Sequence, residues 1–199
     1  MDINIINRAL VKMGESPISS VDQQPYGHLF RLVYDDIRKN LLSMYPWRFA
    51  IKRVVLSPLE EDTLSKYKYK YNLPNDCLAV RDVSDYFKPS DLRDFKFSDA
   101  ERYQIEGKCI LTPFKKLRLI YVANVEEDFS QLFKEAFICR LAEELTVKLH
   151  QNGNLVGLFN QQYTEAISQA ITHNEIIQDS QEIPDNSWMT IREGWWNGY

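Results

Sequence analysis

The apolar positions of this chain change period twice, from helical spacing to alternation and back, which divides it into a helical start, a strand-rich middle and a helical end. Ile3, Ile6, Leu10 and Met13 recur at three and four residues, with Asp2 ahead as a cap and Gly14 behind as a stop, so a first helix is predicted there. Glu15-Ser16-Pro17 then turns the chain. A longer helix is predicted from about Gln24 to Tyr45, with Phe30, Val33, Ile37, Leu41 and Tyr45 on one side and a solvated ladder of Arg31, Asp35 and Lys39 on another.

Proline cannot continue a helix and drives the preceding residue toward an extended conformation. Pro46 therefore makes a corner, after which Trp47, Phe49 and Ile51 alternate with Arg48, Ala50 and Lys52 as at the head of a strand. Pro46, Trp47 and Phe49 are expected to serve the fold and not a reaction. Alternating segments at 47–56, 67–72, 77–83, 103–111 and 117–122, separated by Pro, Asp and Ser, predict a small antiparallel β insertion. Glu106-Gly107-Lys108 reads as a tight hairpin turn, and 84–100 as a long loop.

Helical spacing returns with Asp128 as a cap and Phe129, Phe133, Phe137, Leu141, Leu145 and Leu149 four apart. Asn152-Gly153-Asn154 breaks the pattern, and a partner helix carries Phe159, Tyr163, Ala166, Ile167, Ala170 and Ile171, which predicts an antiparallel helical hairpin. The expected fold is α+β and predominantly α. Residues 1–46 and 123–177 would form a four-helix bundle, 47–122 a β-rich insertion, and 178–199 an extended C-terminal arm.

Composition narrows the class. The 199 residues are 44% hydrophobic and 13% aromatic with only 7 glycines, as in a packed globular chain. A net charge of −4 gives no general attraction to DNA or to anionic lipid. Cys77, Cys109 and Cys139 are widely spaced with no Cys-x-x-Cys pair, so neither a disulfide framework nor a zinc site is suggested, and a reducing cytoplasm fits. No apolar run reaches the ~18 residues of a membrane span, and no membrane partner is expected.

Candidate chemistry is sparse. There is no phosphate loop, dinucleotide fingerprint or nucleophile elbow, and His28, His150 and His173 lie far apart, so no catalytic, cofactor-binding or metal-ligating residue is assigned and no cofactor is expected. Carboxylates occur in groups at Glu60-Glu61-Asp62, Glu126-Glu127-Asp128 and Glu143-Glu144, where solvated surface charge is the ordinary role. Lys66-Tyr67-Lys68-Tyr69-Lys70-Tyr71 interleaves cations with aromatics, as single-strand-binding surfaces do, but on a strand the tyrosines share one face and the lysines the other. Trp188, Trp195, Trp196 and Tyr199 fall beyond the last predicted helix, and large aromatics anchor interfaces, so they are expected to dock on another chain.

In order and spacing, Ile6-Asn7-Arg8-Ala9-Leu10-Val11-Lys12-Met13-Gly14, Ile18-Ser19-Ser20-Val21, Arg38 to Tyr45, the Pro46-Trp47-Arg48-Phe49 corner, Leu73-Pro74-Asn75-Asp76-Cys77-Leu78 and Phe133 to Ala142 resemble the tail tubular protein A family of short-tailed phages. The resemblance covers roughly residues 3 to 176. It implies a structural virion protein at the head-to-tail interface, made in the host cytoplasm. Twelve copies would form an adaptor ring joining the portal protein to the tail nozzle protein, extending a channel through which genomic DNA slides without sequence-specific binding. Two alternatives from other classes remain open. One is a tail-associated peptidoglycan hydrolase using Glu143 or Glu144, which a zymogram would reveal; the other is a single-stranded nucleic-acid-binding module built on the Lys/Tyr strand.

Overall fold

Helix α1, Ile3–Met13, starts where the Asp2 carboxylate accepts from the Asn4 N–H at 2.9 Å, and ends at Gly14, whose φ of +86° lets its N–H return to the last turn. In this computed structural model the described residues are 1–22, 27–61, 66–86, 102–149 and 153–179, with backbone alone at 60–61 and 177–179. Ile6, Leu10 and Met13 are buried as their spacing predicts, and Ile5 and Ala9 join them. Helix α2, Gly27–Met44, begins at a residue where a side chain would collide with the Val21 carbonyl oxygen. Its buried face holds Phe30, Val33, Ile37 and Leu41 as predicted, together with Tyr34, Arg38 and Leu42.

After α2 the chain makes a 3-10 turn, Arg48–Ala50, and the first strand begins at Ile51, four residues later than the alternation suggests. The N–H of Ala50 donates to the Trp47 carbonyl at 2.9 Å, so hydrogen bonding within the turn replaces strand pairing there. Seven strands follow among the described residues: β1 (Ile51–Leu56), β2 (Glu60–Glu61), β3 (Tyr69–Asn72), β4 (Cys77–Asp85), β5 (Gln104–Glu106), β6 (Cys109–Thr112) and β7 (Leu117–Ala123). They form two antiparallel sheets, one ordered β1-β7-β4 and the other β2-β3-β6-β5. The predicted hairpin at Gly107 is present: Glu106 pairs with Cys109, and Gly107 takes a φ of +60° that suits a residue without a Cβ. The long loop expected at 84–100 lies mostly outside the described residues, although Ser84 and Asp85 extend β4.

Central strand β7 sorts its side chains by the two-residue period. Leu117, Leu119, Tyr121 and Ala123 are buried with Tyr69, Tyr71 and Ile110 of the other sheet, while Val122 on the opposite face is buried with the helices. The layers are thus helices, three-stranded sheet and four-stranded sheet. Asp76, just before β4, ties the middle layer. Its carboxylate accepts from Lys52 on β1 at 2.6 Å and from the Tyr121 hydroxyl on β7 at 3.0 Å, and its carbonyl accepts from the Asn124 N–H at 2.7 Å.

Helix α3, Gln131–Leu149, is capped by Ser130, whose hydroxyl accepts from the Phe133 N–H at 3.3 Å. Asp128, the expected cap, instead adopts a left-handed φ of +63° and turns the chain ahead of the helix. Helix α4, Gly153–Asp179, pairs with α3 as the predicted hairpin.

The four-helix bundle expected from the sequence does not form, and the β part is two sheets and not one insertion. Helices α1, α2 and α4 each pack chiefly on α3, with far less contact among themselves, and α2 continues onto β4 and β7. The physical reason lies in α3. Besides the Phe133-Phe137-Leu141-Leu145 stripe it buries Ala136, Ile138, Cys139 and Ala142, so it is apolar around most of its circumference and takes the central position.

One charged clamp holds α1 to this post. Glu135 accepts from Arg8 at 2.6 Å and pairs with Lys12 at 3.0 Å. Burial disfavours the charged form of Glu135, but the bonds from Lys12 and Arg8 outweigh it and hold the carboxyl below the ordinary carboxylate range. A carboxylate whose pKa is depressed on folding adds stability that is fully present above its unfolded pKa and is lost as pH falls through the folded value. Glu135→Gln should therefore lower the melting temperature at neutral pH, with the gap from the parent closing as pH drops below the carboxylate range. Thermal melts across that range check this, and a gap unchanged at the acid end would mean that Glu135 acts through packing alone.

Candidate functional site

The corner residues sit at the centre of an aromatic cluster. Trp47 is 0% exposed; its ring meets Phe133 edge-on at 5.0 Å between centroids and stacks on Phe49 at 6.1 Å, while Phe49 meets Phe133 at 5.1 Å and Phe129 at 5.8 Å. The Trp47 indole N–H donates to the Leu41 carbonyl at 2.7 Å. Leu41 stands in the last turn of α2, where carbonyls lack a partner within the helix, so Trp47 packs the corner and satisfies a buried acceptor at once. The backbone on either side of Trp47 is met by one residue of α4. Asn174, 8% exposed, accepts from the Arg48 N–H at 3.1 Å, and its amide lies 3.5 Å from the Pro46 carbonyl. Pro46, Trp47 and Phe49 thus come together as a structural element. Asn174 carried no signal in the sequence, because its partners are over a hundred residues away.

Beside this corner, α2 and α3 leave a groove of about 560 Å³. Leu32, Asp36, Asn40 and Met44 line one wall at four-residue spacing, and Arg140, Glu144 and Lys148 line the other at the same spacing. Val33, Ile37 and Leu41 also line it, and Tyr163 of α4 closes one end, its hydroxyl 4.0 Å from the Met44 sulfur and its ring 5.7 Å from the Arg140 guanidinium. Burial pushes the Tyr163 phenol up, so it stays protonated at neutral pH. Leu32 and Met44 are 53% and 57% exposed, large apolar side chains left open to solvent along this groove. Sequence patterning missed it. Leu32 and Met44 fall off the buried stripe of α2, and their row with Asp36 and Asn40 becomes visible only once the facing helix is known.

Glu143 and Glu144 do not stand free. Arg140 donates to Glu143 at 2.7 Å and to Glu144 at 2.9 Å, and Asn160 donates to Glu143 at 3.0 Å. The pair belongs to a polar network linking α3 to α4. Tyr67, Tyr69 and Tyr71 are buried as the alternation predicts, with Lys68 exposed; Lys66 and Lys68 lie over the Tyr67 and Tyr69 rings at 4.9 and 5.4 Å. Burial, with the neighbouring Tyr69 and Asp85, raises the Tyr71 phenol to about 12. The tyrosine faces are therefore core surface and unavailable for base stacking.

Among the described residues no group of three or more His, Cys, Asp or Glu side chains comes together as a metal site, and no helix is long and apolar enough to cross a membrane. Trp188, Trp195, Trp196 and Tyr199 lie outside the described residues. Neither the known protein-family models nor the curated proteins contain a match to this chain.

The corner gives a graded expectation. Truncating a buried aromatic to Ala costs about 3–5 kcal/mol, so Trp47→Ala should lower the melting temperature strongly. Trp47→Phe keeps a ring beside Phe133 but leaves the Leu41 carbonyl unpaired, a loss of about 1–3 kcal/mol. Melting curves for both variants test the order, and an unchanged Trp47→Ala protein would remove the corner from the fold's supports.

Proposed function

We propose that this chain is an architectural subunit, an adaptor ring protein between a phage portal and its tail nozzle. The carrying observation is the ordered set of motifs from Ile6 to Ala142 that resembles tail tubular protein A. The geometry gives it physical support. The corner motif packs a core, the Glu143-Glu144 pair is engaged by Arg140, and exposed Leu32 and Met44 flank an open groove between α2 and α3. An open groove on one side and an aromatic arm elsewhere on the same chain make a heterologous contact, the kind that closes into rings when the rotation between subunits permits. A portal presenting adjacent sites turns each next contact into an effectively intramolecular one, so a weakly self-associating subunit becomes stably placed. The negative net charge of −4 suits a channel wall along which DNA slides without adhering.

Electron microscopy of the purified chain mixed with its portal should show a ring seated on the portal, while sedimentation of the chain alone at micromolar concentration should show mostly monomer. Removing residues 178–199 should leave helical content and melting temperature nearly unchanged while abolishing or greatly weakening co-assembly. A stable dodecamer without portal, or a truncated chain that assembles with unaltered affinity, would contradict this function or the part given to the arm.

A further inference from the structure

An unpaired sheet edge is a template for a strand of another chain. Among the described residues the fold has four such edges: β1 and β4 flank the three-stranded sheet, β2 and β5 the four-stranded one. Two of them are poorly suited to pairing. Strand β4 shifts register against β7 between Cys77 and Ala79 and again between Val80 and Asp82, and such bulges bend an edge out of line. Strand β2 has only two residues. By contrast β1 keeps an unbroken six-residue register with β7 and carries β-branched Val54 and Val55, while β5 keeps an unbroken three-residue register with β6 and is exposed throughout. The outer backbone groups of both strands have no strand partner among the described residues.

The two receptive edges differ in charge. On β1, Lys52 is turned to Asp76, but the exposed Arg53 side chain has no hydrogen-bond or ion-pair partner among the described residues. The same holds for Arg118, which stands across from Val55 on β7 and lines an open hollow of about 210 Å³ with Arg53 and Tyr86. On β5, the Glu106 carboxylate accepts from Gln104 of its own strand at 2.8 Å and meets no cation among the described residues. Pairing β1 with β1 would crowd cations, whereas pairing β1 with β5 sets a cation against a carboxylate. Within one chain β1 and β5 are held in different sheets, so the unlike pair takes two chains.

We propose that β5 of one copy adds to the free edge of β1 in a second copy as an antiparallel strand, with Arg53 opposite Glu106, Val54 opposite Ile105 and Val55 opposite Gln104. This register also matches the faces of the two strands. Val54 packs toward the core between the sheets, and Ile105, 44% exposed, lies on the same face of its sheet as the buried Ile110 opposite it. Once paired, these apolar side chains share one face, and Arg53 and Glu106 share the other. Because the two edges are different surfaces of the chain, the contact runs head to tail and copies can add in series. It deepens the adaptor reading by supplying a contact between neighbouring subunits, and rests on that reading only for closure into a ring.

The experiment is charge reversal in the full chain, read by sedimentation at high protein concentration without portal. The parent should self-associate, with amide exchange at 53–55 and 104–106 slowing as concentration rises. Arg53→Glu and Glu106→Arg should each weaken association roughly tenfold, because each sets like charges opposite one another. Mixing the two variants should restore it, since every contact between unlike chains again opposes a cation to a carboxylate, a recovery that misfolded chains could not give. A parent that stays monomeric, variants that associate as the parent does, or a mixture no better than either variant alone would overturn the proposal. So would an effect of Arg53→Glu with none from Glu106→Arg, which would mean that like edges pair, and so would association without slowed exchange, which would mean that side chains meet without adding a strand. Ring formation on portal is scored separately: a ring built equally well by Arg53→Glu protein removes this contact alone, and strand pairing with no ring on portal removes the adaptor function while the contact stands.

Discussion

The edge of Trp47 against Phe133 is the contact on which the rest of the architecture turns. It brings the end of α2 and the start of the β region onto the helix that every other helix needs. Phe129, Phe133 and Phe137 form a row of rings, with Phe49 against the first two and Tyr34 against Phe137 at 4.7 Å, so α2, the corner and α3 share one aromatic seam. The seam is also anchored by polar bonds. The Trp47 indole meets a carbonyl of α2, and Asn174 meets the backbone beside it, leaving the corner little freedom to shift without exposing unpaired groups.

Arg38 shows a similar economy on the other flank of α2. It is only 3% exposed, yet it donates to the Val125 carbonyl at 2.8 Å and pairs with Asp35, so a guanidinium inside the core joins α2 to the segment leading into α3. Three-stranded sheet and helices meet through Val122, with Ile51, Leu78 and Ala79 partly buried beside it, while the outer sheet closes over the other side of β7. Because β7 pairs with both β1 and β4, one strand sets the register for the whole middle layer.

Local chemistry was legible in the sequence and the assembly was not. Asp2, Gly14, Pro46 and Gly107 announce a cap, a stop, a corner and a turn through their own backbone preferences, and the alternation of Tyr67, Tyr69 and Tyr71 places them inward. The bundle does not form because α3 has more than its four-residue stripe to bury: Ile138 and Cys139 give it a second apolar face. Asp128 shows how one residue type serves two local structures. An aspartate both caps helices and tolerates left-handed backbone, and Ser130, two residues on, takes the capping role. The groove was invisible because a wall made of two helices has no signature in either one.

The position of α3 late in the chain has a consequence for synthesis. A chain made from its N-terminus releases α1 and α2 well before Gln131–Leu149, and β1 well before its partner β7. Until then the faces bearing Ile6, Leu10, Phe30 and Ile37 have no native surface to cover them. Native packing of α1 and α2 therefore waits until α3 has been made, and the nascent chain carries uncovered apolar faces until then.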